Sequence, residues 1–358
     1  MSAAHRWAPA PFELFTWTVT AATVVFLRAQ GLRIDWQTVE FMAGPMFARL
    51  PSLLLWGLAL QGLALVARRR SPRAWLRDVA TPGSAALWLR VWLAAMAMTY
   101  GYTWLKVCIP LLRHEVLDAQ LWRLDRWLHF GISPSVFAAE LVRDTVLAGL
   151  LDRWYALWVT SVLATLAFVF LSPRLEERRN FALACAVLWL VGVWIYLALP
   201  AVGPCYASPE VFAGLRAQTP GAVEAQNELW RNYARILAGR DGSLRQFKPY
   251  LGVAAMPSLH VGAHWLFALW SRRHAPRLFV PFAAATALTF LASVATGWHY
   301  AIDGYAGLAL AWAAIRIAER FEPVPREGGA LSEGAPPPAP ADAAARGDVA
   351  PSGAEGRR

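Results

Sequence analysis

Apolar runs that approach the ~20 residues needed to cross about 30 Å of hydrocarbon recur along this chain, with arginine clusters between them. They fall near residues 12 to 27, 50 to 67, 85 to 107, 154 to 171, 181 to 199, 258 to 270, 278 to 296 and 299 to 318, which predicts an all-α polytopic membrane bundle of about eight transmembrane helices. The first run is short and ends at Arg28. The sixth is also short, so its helix is expected to be tilted, buried by its neighbours or extended by Pro257 and Ser258. Two intervening segments are too long to be simple connectors. Residues 108–153 carry Leu117, Leu121, Leu124 and Leu128 at helical spacing, and residues 200–257 carry Leu229, Tyr233 and Ile236, so both are expected to form amphipathic helices at the membrane surface.

Composition agrees with lipid as the solvent: 57% of the 358 residues are hydrophobic and only 16% are charged. The net charge of +10 resides largely in short loops. Arg68, Arg69, Arg70, Arg73 and Arg77 follow the second run, Arg174, Arg178 and Arg179 the fourth, Arg272, Arg273 and Arg277 the sixth, and Arg316 and Arg320 close the last. Short basic loops stay in the cytoplasm, so both termini are expected there, in a bacterial inner membrane, with residues 108–153 and 200–257 on the opposite side. Arginines distributed by loop rather than along one stripe exclude a nucleic-acid partner. Cys108, Cys185 and Cys205 form neither a disulfide framework nor a metal spacing. From Phe321 the chain turns rich in Pro, Ala and Gly, and residues 321–358 are expected to be a disordered cytoplasmic tail.

Chemistry concentrates at the external ends of the last helices, in Met256-Pro257-Ser258-Leu259-His260 and Gly297-Trp298-His299-Tyr300-Ala301-Ile302-Asp303. Ser258 has the place of an N-cap, which would turn the positive end of a helix and its amides toward a bound phosphate. His299 and Asp303 are four residues apart and share a helix face, so the carboxylate can accept one imidazole N–H and leave the other nitrogen as nucleophile or base. Ionisable groups at membrane helix ends are costly and mark function. His264, one turn below His260, reads as a buried hydrogen-bonding residue.

These motifs, Pro257-Ser258-x-His260 and His299-x-x-x-Asp303, resemble those of the type 2 phosphatidic acid phosphatase superfamily, in the inositol phosphorylceramide synthase-like branch. Softer matches are Leu124-Asp125-Arg126-Trp127-Leu128 leading to Gly131 and Pro134, and Pro200 followed by Gly203-Pro204. The resemblance covers roughly residues 85 to 318, and it implies a six-helix catalytic core in residues 85–320 preceded by two extra helices in 1–84. It further implies His299 as nucleophile, Asp303 as its orienting carboxylate and His260 as the acid that protonates the leaving oxygen. The Lys-x6-Arg-Pro element is missing before Pro257, and Ala292 and Ser293 stand where Ser-Arg is expected. Arg245 and Lys248 are the substitutes proposed to bind phosphate with Ser258.

The expected enzyme is a lipid phosphatase or phosphotransferase working through a phosphohistidine, with no cofactor, a membrane lipid substrate and water or a polyol or other alcohol as acceptor. Two other readings compete. His260, His264, His299 and Asp303 could be ligands of an intramembrane zinc, although no HExxH glutamate is present. A non-enzymatic transporter is the third, against which stands the clustering of polar residues at one membrane face.

Overall fold

The computed structural model describes residues 8–32, 55–66, 69, 71–238 and 251–324, all within the unit Met1–Val324. Arg245, Lys248 and the tail from residue 325 onward lie outside the described residues. The regular elements among the described residues are helical. They are α1 (Pro11–Ala29), α2 (Leu55–Val66), α3 (Pro72–Val79), α4 (Pro82–Leu112), α5 (Asp118–Leu128), α6 (Pro134–Val142), α7 (Val146–Ala156), α8 (Trp158–Phe170) and α9 (Leu175–Ala198). There follow α10 (Pro204–Ala207), α11 (Pro220–Ala238), α12 (Leu259–His274), α13 (Phe279–Ala295) and α14 (Ala301–Phe321), with short 3-10 turns at Pro209–Leu215 and Pro276–Leu278. Proline opens α1, α3, α4, α6, α10 and α11, where its fixed φ suits the first helical position and its missing N–H costs nothing.

The expectation of eight spans around a six-helix core is corrected. Among the described residues four helices are long and apolar enough to cross a bilayer: Pro11–Ala29, Leu175–Ala198, Pro276–Ala295 and Ala301–Phe321. The pair Val146–Ala156 and Trp158–Phe170, bent by 46° at Leu157, makes a fifth if it is one broken span. The second predicted run yields only the short α2. The third lies within α4, whose 31 residues are long enough, but Arg90, Lys106 and its Trp, Tyr, Gly and Thr residues dilute its hydropathy. The sixth is α12, whose 16 residues span ~24 Å, less than the hydrocarbon thickness, and end in Arg272, Arg273 and His274. Its apolar side chains serve the protein interior instead: Leu266, Phe267, Ala268 and Trp270 are all buried.

Helix α9 is the axis of the unit, packed by α1, α4, α12 and α14. Small residues allow close crossings. Gly192 of α9 leaves room for Leu259, since a Cβ there would lie 2.6 Å from Leu259 Cδ2. Gly307 of α14 lies against the Ser258 carbonyl, and a Cβ on Gly262 of α12 would meet Gly307 O at 3.0 Å. The starts of α12 and α14 therefore cross backbone to backbone, which brings the two histidine motifs side by side. At the other end α1 is tied to α4 by the ion pair of Glu13 with Arg90, whose Nε donates to Glu13 Oε1 at 2.7 Å.

Candidate active site

His299 sits in a tight turn between α13 and α14. Ser293 O accepts from Trp298 N at 2.8 Å and from His299 N at 3.2 Å, and Gly297 takes φ +78°, a conformation in which a side chain would also strike the Phe212 ring. The result is a histidine 2% exposed and set immediately before the first turn of α14. Ser293, found where the resemblance expects Ser-Arg, thus acts through its carbonyl.

Two acceptors face Nδ1 of His299: Ala255 O at 2.9 Å and Asp303 Oδ2 at 3.5 Å. They hold the proton on Nδ1 and leave Nε2 with its lone pair. That Nε2 lies 3.0 Å from Nδ1 of His260, which is then the donor between the rings. The nearer orienting group is the Ala255 carbonyl, which sequence reasoning missed because a backbone acceptor leaves no signature in residue type. Asp303 is fully buried; its Oδ2 also accepts from Tyr300 N at 2.9 Å, while among the described residues Oδ1 has no hydrogen-bond partner. A carboxylate so placed can meet a positive charge that develops on the imidazole. Ser258 is buried; its Oγ accepts from Val261 N at 3.4 Å, and its amide donates to Asp303 O at 2.8 Å. The structure thus places Ser258 as the cap of α12 and as a direct link between the two motifs.

Three aromatic side chains wall the pair of imidazoles. The break at Leu157 sends Tyr155 from the end of α7 and Trp158 from the start of α8 toward the same ring. The Tyr155 hydroxyl is 2.8 Å from His260 Nδ1 and its ring stacks on Trp298, while Trp158 meets His260 edge to face with centroids 4.2 Å apart. His264 faces elsewhere: its Nε2 is 2.8 Å from Ser161 Oγ and its Nδ1 3.1 Å from His260 O. Among the described residues no group of three or more His, Cys, Asp or Glu side chains is placed to hold a metal ion. The three cysteines are free and buried.

One cation near the site was missed. Lys106 of α4 packs its stem on Gly252, three residues before Ala255, where a Cβ would come 2.9 Å from Lys106 Cγ. Its Nζ stands over the rings of Tyr102 and Tyr196 at 5.7 and 5.3 Å, and among the described residues it has no carboxylate partner. The signal lies in the sequence: Lys106 and Arg113 have the Lys-x6-Arg spacing, with His114 in place of the proline.

The PAP2 superfamily model matches residues 119–317, more than half of the chain. The chain belongs to the PAP2 superfamily. No curated protein and no solved structure matches it. The superfamily match takes in α5 through most of α14 and hence both histidine motifs, but begins after α4, so that Lys106 comes to the PAP2 site from outside the matched range. Phosphatase or phosphotransferase chemistry and a lipid substrate accord with PAP2 membership.

Proposed function

We propose that this PAP2 protein transfers a phosphoryl or phosphodiester group from a membrane lipid through a phosphohistidine on His299. The observation that carries the reading is the 3.0 Å approach of His260 Nδ1 to His299 Nε2, with the proton of His299 held at its other nitrogen. In the resting site the His260 N–H occupies the direction along which Nε2 would attack. A phosphorus entering there separates the rings, frees the Nε2 lone pair and leaves the His260 N–H beside the departing oxygen. The lone pair forms the N–P bond, the P–O bond breaks, and His260, entering the step as the doubly protonated imidazolium, gives one proton to the leaving alkoxide and is left as the neutral imidazole that serves as base in the second half. Asp303 then balances the imidazolium charge. In the second half water or an alcohol gives its proton to His260 and attacks phosphorus, regenerating His299.

The equatorial oxygens need cations and amides. Lys106 is the cation proposed for this role, together with the amides at the α12 end capped by Ser258. Arg245 and Lys248 remain proposed contributors from the segment before Gly252. The distribution of arginine among the loops supports chemistry at the non-cytoplasmic face with cytoplasmic termini. The departures from the common motif favour the inositol phosphorylceramide synthase-like branch, and with it transfer to a polyol as well as hydrolysis.

The test uses purified full-length protein in detergent with 32P-labelled phosphatidic acid, with and without inositol. Wild type should form an acid-labile, base-stable labelled protein on brief mixing. The His299→Ala variant should form none, and His260→Ala should form it slowly. Turnover by a folded His299→Ala protein at the wild-type rate ends this reading.

A further inference from the structure

The turn that carries His299 is held from the side by two carboxylates of α5. Asp118 and Asp125 are seven residues apart, so two helical turns bring them to one face, and both are buried. Asp125 Oδ2 accepts from Ala301 N at 3.1 Å and its Oδ1 from Ile302 N at 3.0 Å, the first two amides of α14. Asp118 Oδ1 accepts from the Tyr300 hydroxyl at 2.9 Å and from Gly203 N at 2.8 Å, and its Oδ2 from Val202 N at 2.9 Å. Tyr300 directly follows His299. Gly203 in turn abuts the Trp298 carbonyl, where a Cβ would come within 2.7 Å, and Cys205 N donates to Gly297 O at 2.8 Å. One helix thus grips the residues on both sides of His299, directly and through the 202–205 loop.

Helix α5 is itself fixed. Leu117 N donates to Pro200 O at 2.7 Å, and His129 bridges Asp125 O at 2.6 Å and the Tyr305 hydroxyl of α14 at 2.9 Å. Among the described residues neither carboxylate has a Lys or Arg partner; the nearest cation-capable group is His129, 3.7 Å from Asp125 Oδ1. Two buried carboxylates satisfied by amides and one hydroxyl have no interaction to make with an anionic substrate, so their work lies in holding the turn. With Tyr300 N taken by Asp303, the amides at the start of α14 are committed to carboxylates, and its N-terminus is unavailable to phosphate.

We propose that Asp118 and Asp125 are positioning residues that set the register of the His299 turn and so aim Nε2 at the reacting phosphorus. The inference rests on the assignment of His299 as phosphoryl acceptor made above. The experiment compares Asp125→Ala, Asp125→Asn, Asp118→Ala and Tyr300→Phe with wild type in the full chain, each checked for a monodisperse detergent profile. Turnover of dioleoyl phosphatidic acid in mixed micelles gives kcat and KM, and 15N-histidine NMR reads the His299 ring directly. A misaligned nucleophile predicts a kcat loss of about tenfold to a hundredfold in Asp125→Ala with KM changed by no more than about twofold. Tyr300→Phe, which removes only the hydroxyl held by Asp118, is expected to lose less, and Asp125→Asn, which keeps one acceptor oxygen, to recover part of the rate. The His299 ring resonances should move in Asp125→Ala and return toward wild type in Asp125→Asn. Unchanged kcat in folded Asp125→Ala, or an unmoved His299 signal, overturns the proposal. If Asp125→Ala does not fold, Asp125→Asn and Tyr300→Phe decide by the same two readouts. If His299→Ala keeps wild-type turnover the phosphohistidine reading fails, and the NMR comparison alone then decides whether α5 positions the turn.

Discussion

Tyr155 and Trp298 stack with ring centroids 5.7 Å apart and planes 17° from parallel, and the stack aims the Tyr155 hydroxyl at His260 Nδ1, 2.8 Å away. Once substrate separates the imidazoles, this hydroxyl is the partner that keeps His260 in place. Removing it should cost about 1 to 2 kcal/mol of barrier, or roughly tenfold in kcat, with KM little changed. Tyr155→Phe keeps the stack and isolates that effect in steady-state kinetics. Tyr155→Ala should lose more, because Trp298 and the turn to His299 lose their support as well.

Lys106 is expected to act on the phosphoryl group as a point charge rather than on the fold. Among the described residues its Nζ faces the rings of Tyr102 and Tyr196, which a phosphate oxygen can readily displace. Lys106→Met preserves the stem that packs on Gly252 and should lower kcat/KM by about ten- to a hundredfold, the worth of one charge-assisted hydrogen bond. Orthovanadate inhibition should weaken in parallel. Equal vanadate inhibition of wild type and Lys106→Met removes Lys106 from the phosphate site.

That His260, His299 and Asp303 come together could be read from the sequence, because each motif is short and lies at or just before the start of a helix. Tyr155, 105 residues from His260 in the chain, was not, because a kinked helix delivers it through tertiary packing that no local pattern records. Ala255 escaped for a different reason, since any residue type can offer a carbonyl. Hydropathy overcounted the spans because an apolar run reports removal from water, and α12 achieves that against protein. Its Leu266, Phe267 and Ala268 are buried within 16 residues, whereas α13 leaves Val280 70% exposed and Leu288 40% exposed to what surrounds the bundle. The same pattern in sequence therefore served an interior helix and one that turns apolar side chains outward.

Gly307 should be the least tolerant small residue of the unit. Any side chain there would press on the Ser258 carbonyl, a backbone atom at the start of α12 that cannot turn aside. Gly307→Ala is expected to push α14 from α12 and to destabilise by about 1 to 3 kcal/mol, the usual range for overpacking. A drop in the detergent melting temperature should accompany a loss of turnover larger than the loss of folded protein, because the displaced helices carry His260 and His299. Gly62→Ala in α2, where a Cβ meets nothing within 4 Å, is the matched control and should leave both unchanged.

The zinc reading predicts that His260 and His264 turn toward a common ion, and the side chains do the opposite. His260 Nδ1 points to Tyr155 and His299, while His264 engages Ser161 through Nε2 and lies against His260 O and Thr289 Oγ1 through Nδ1, at 3.1 and 3.4 Å. His264 therefore links α8, α12 and α13 behind the reacting ring. His264→Phe would leave Ser161 Oγ with only its own helix carbonyl and is expected to lower stability by about 1 to 3 kcal/mol. His264→Gln, which can still reach the serine, should keep most of the turnover. Incubation with a zinc chelator followed by gel filtration should leave wild-type activity intact, whereas loss on chelation and recovery with zinc would transfer the chemistry to a metal and displace His299 as nucleophile.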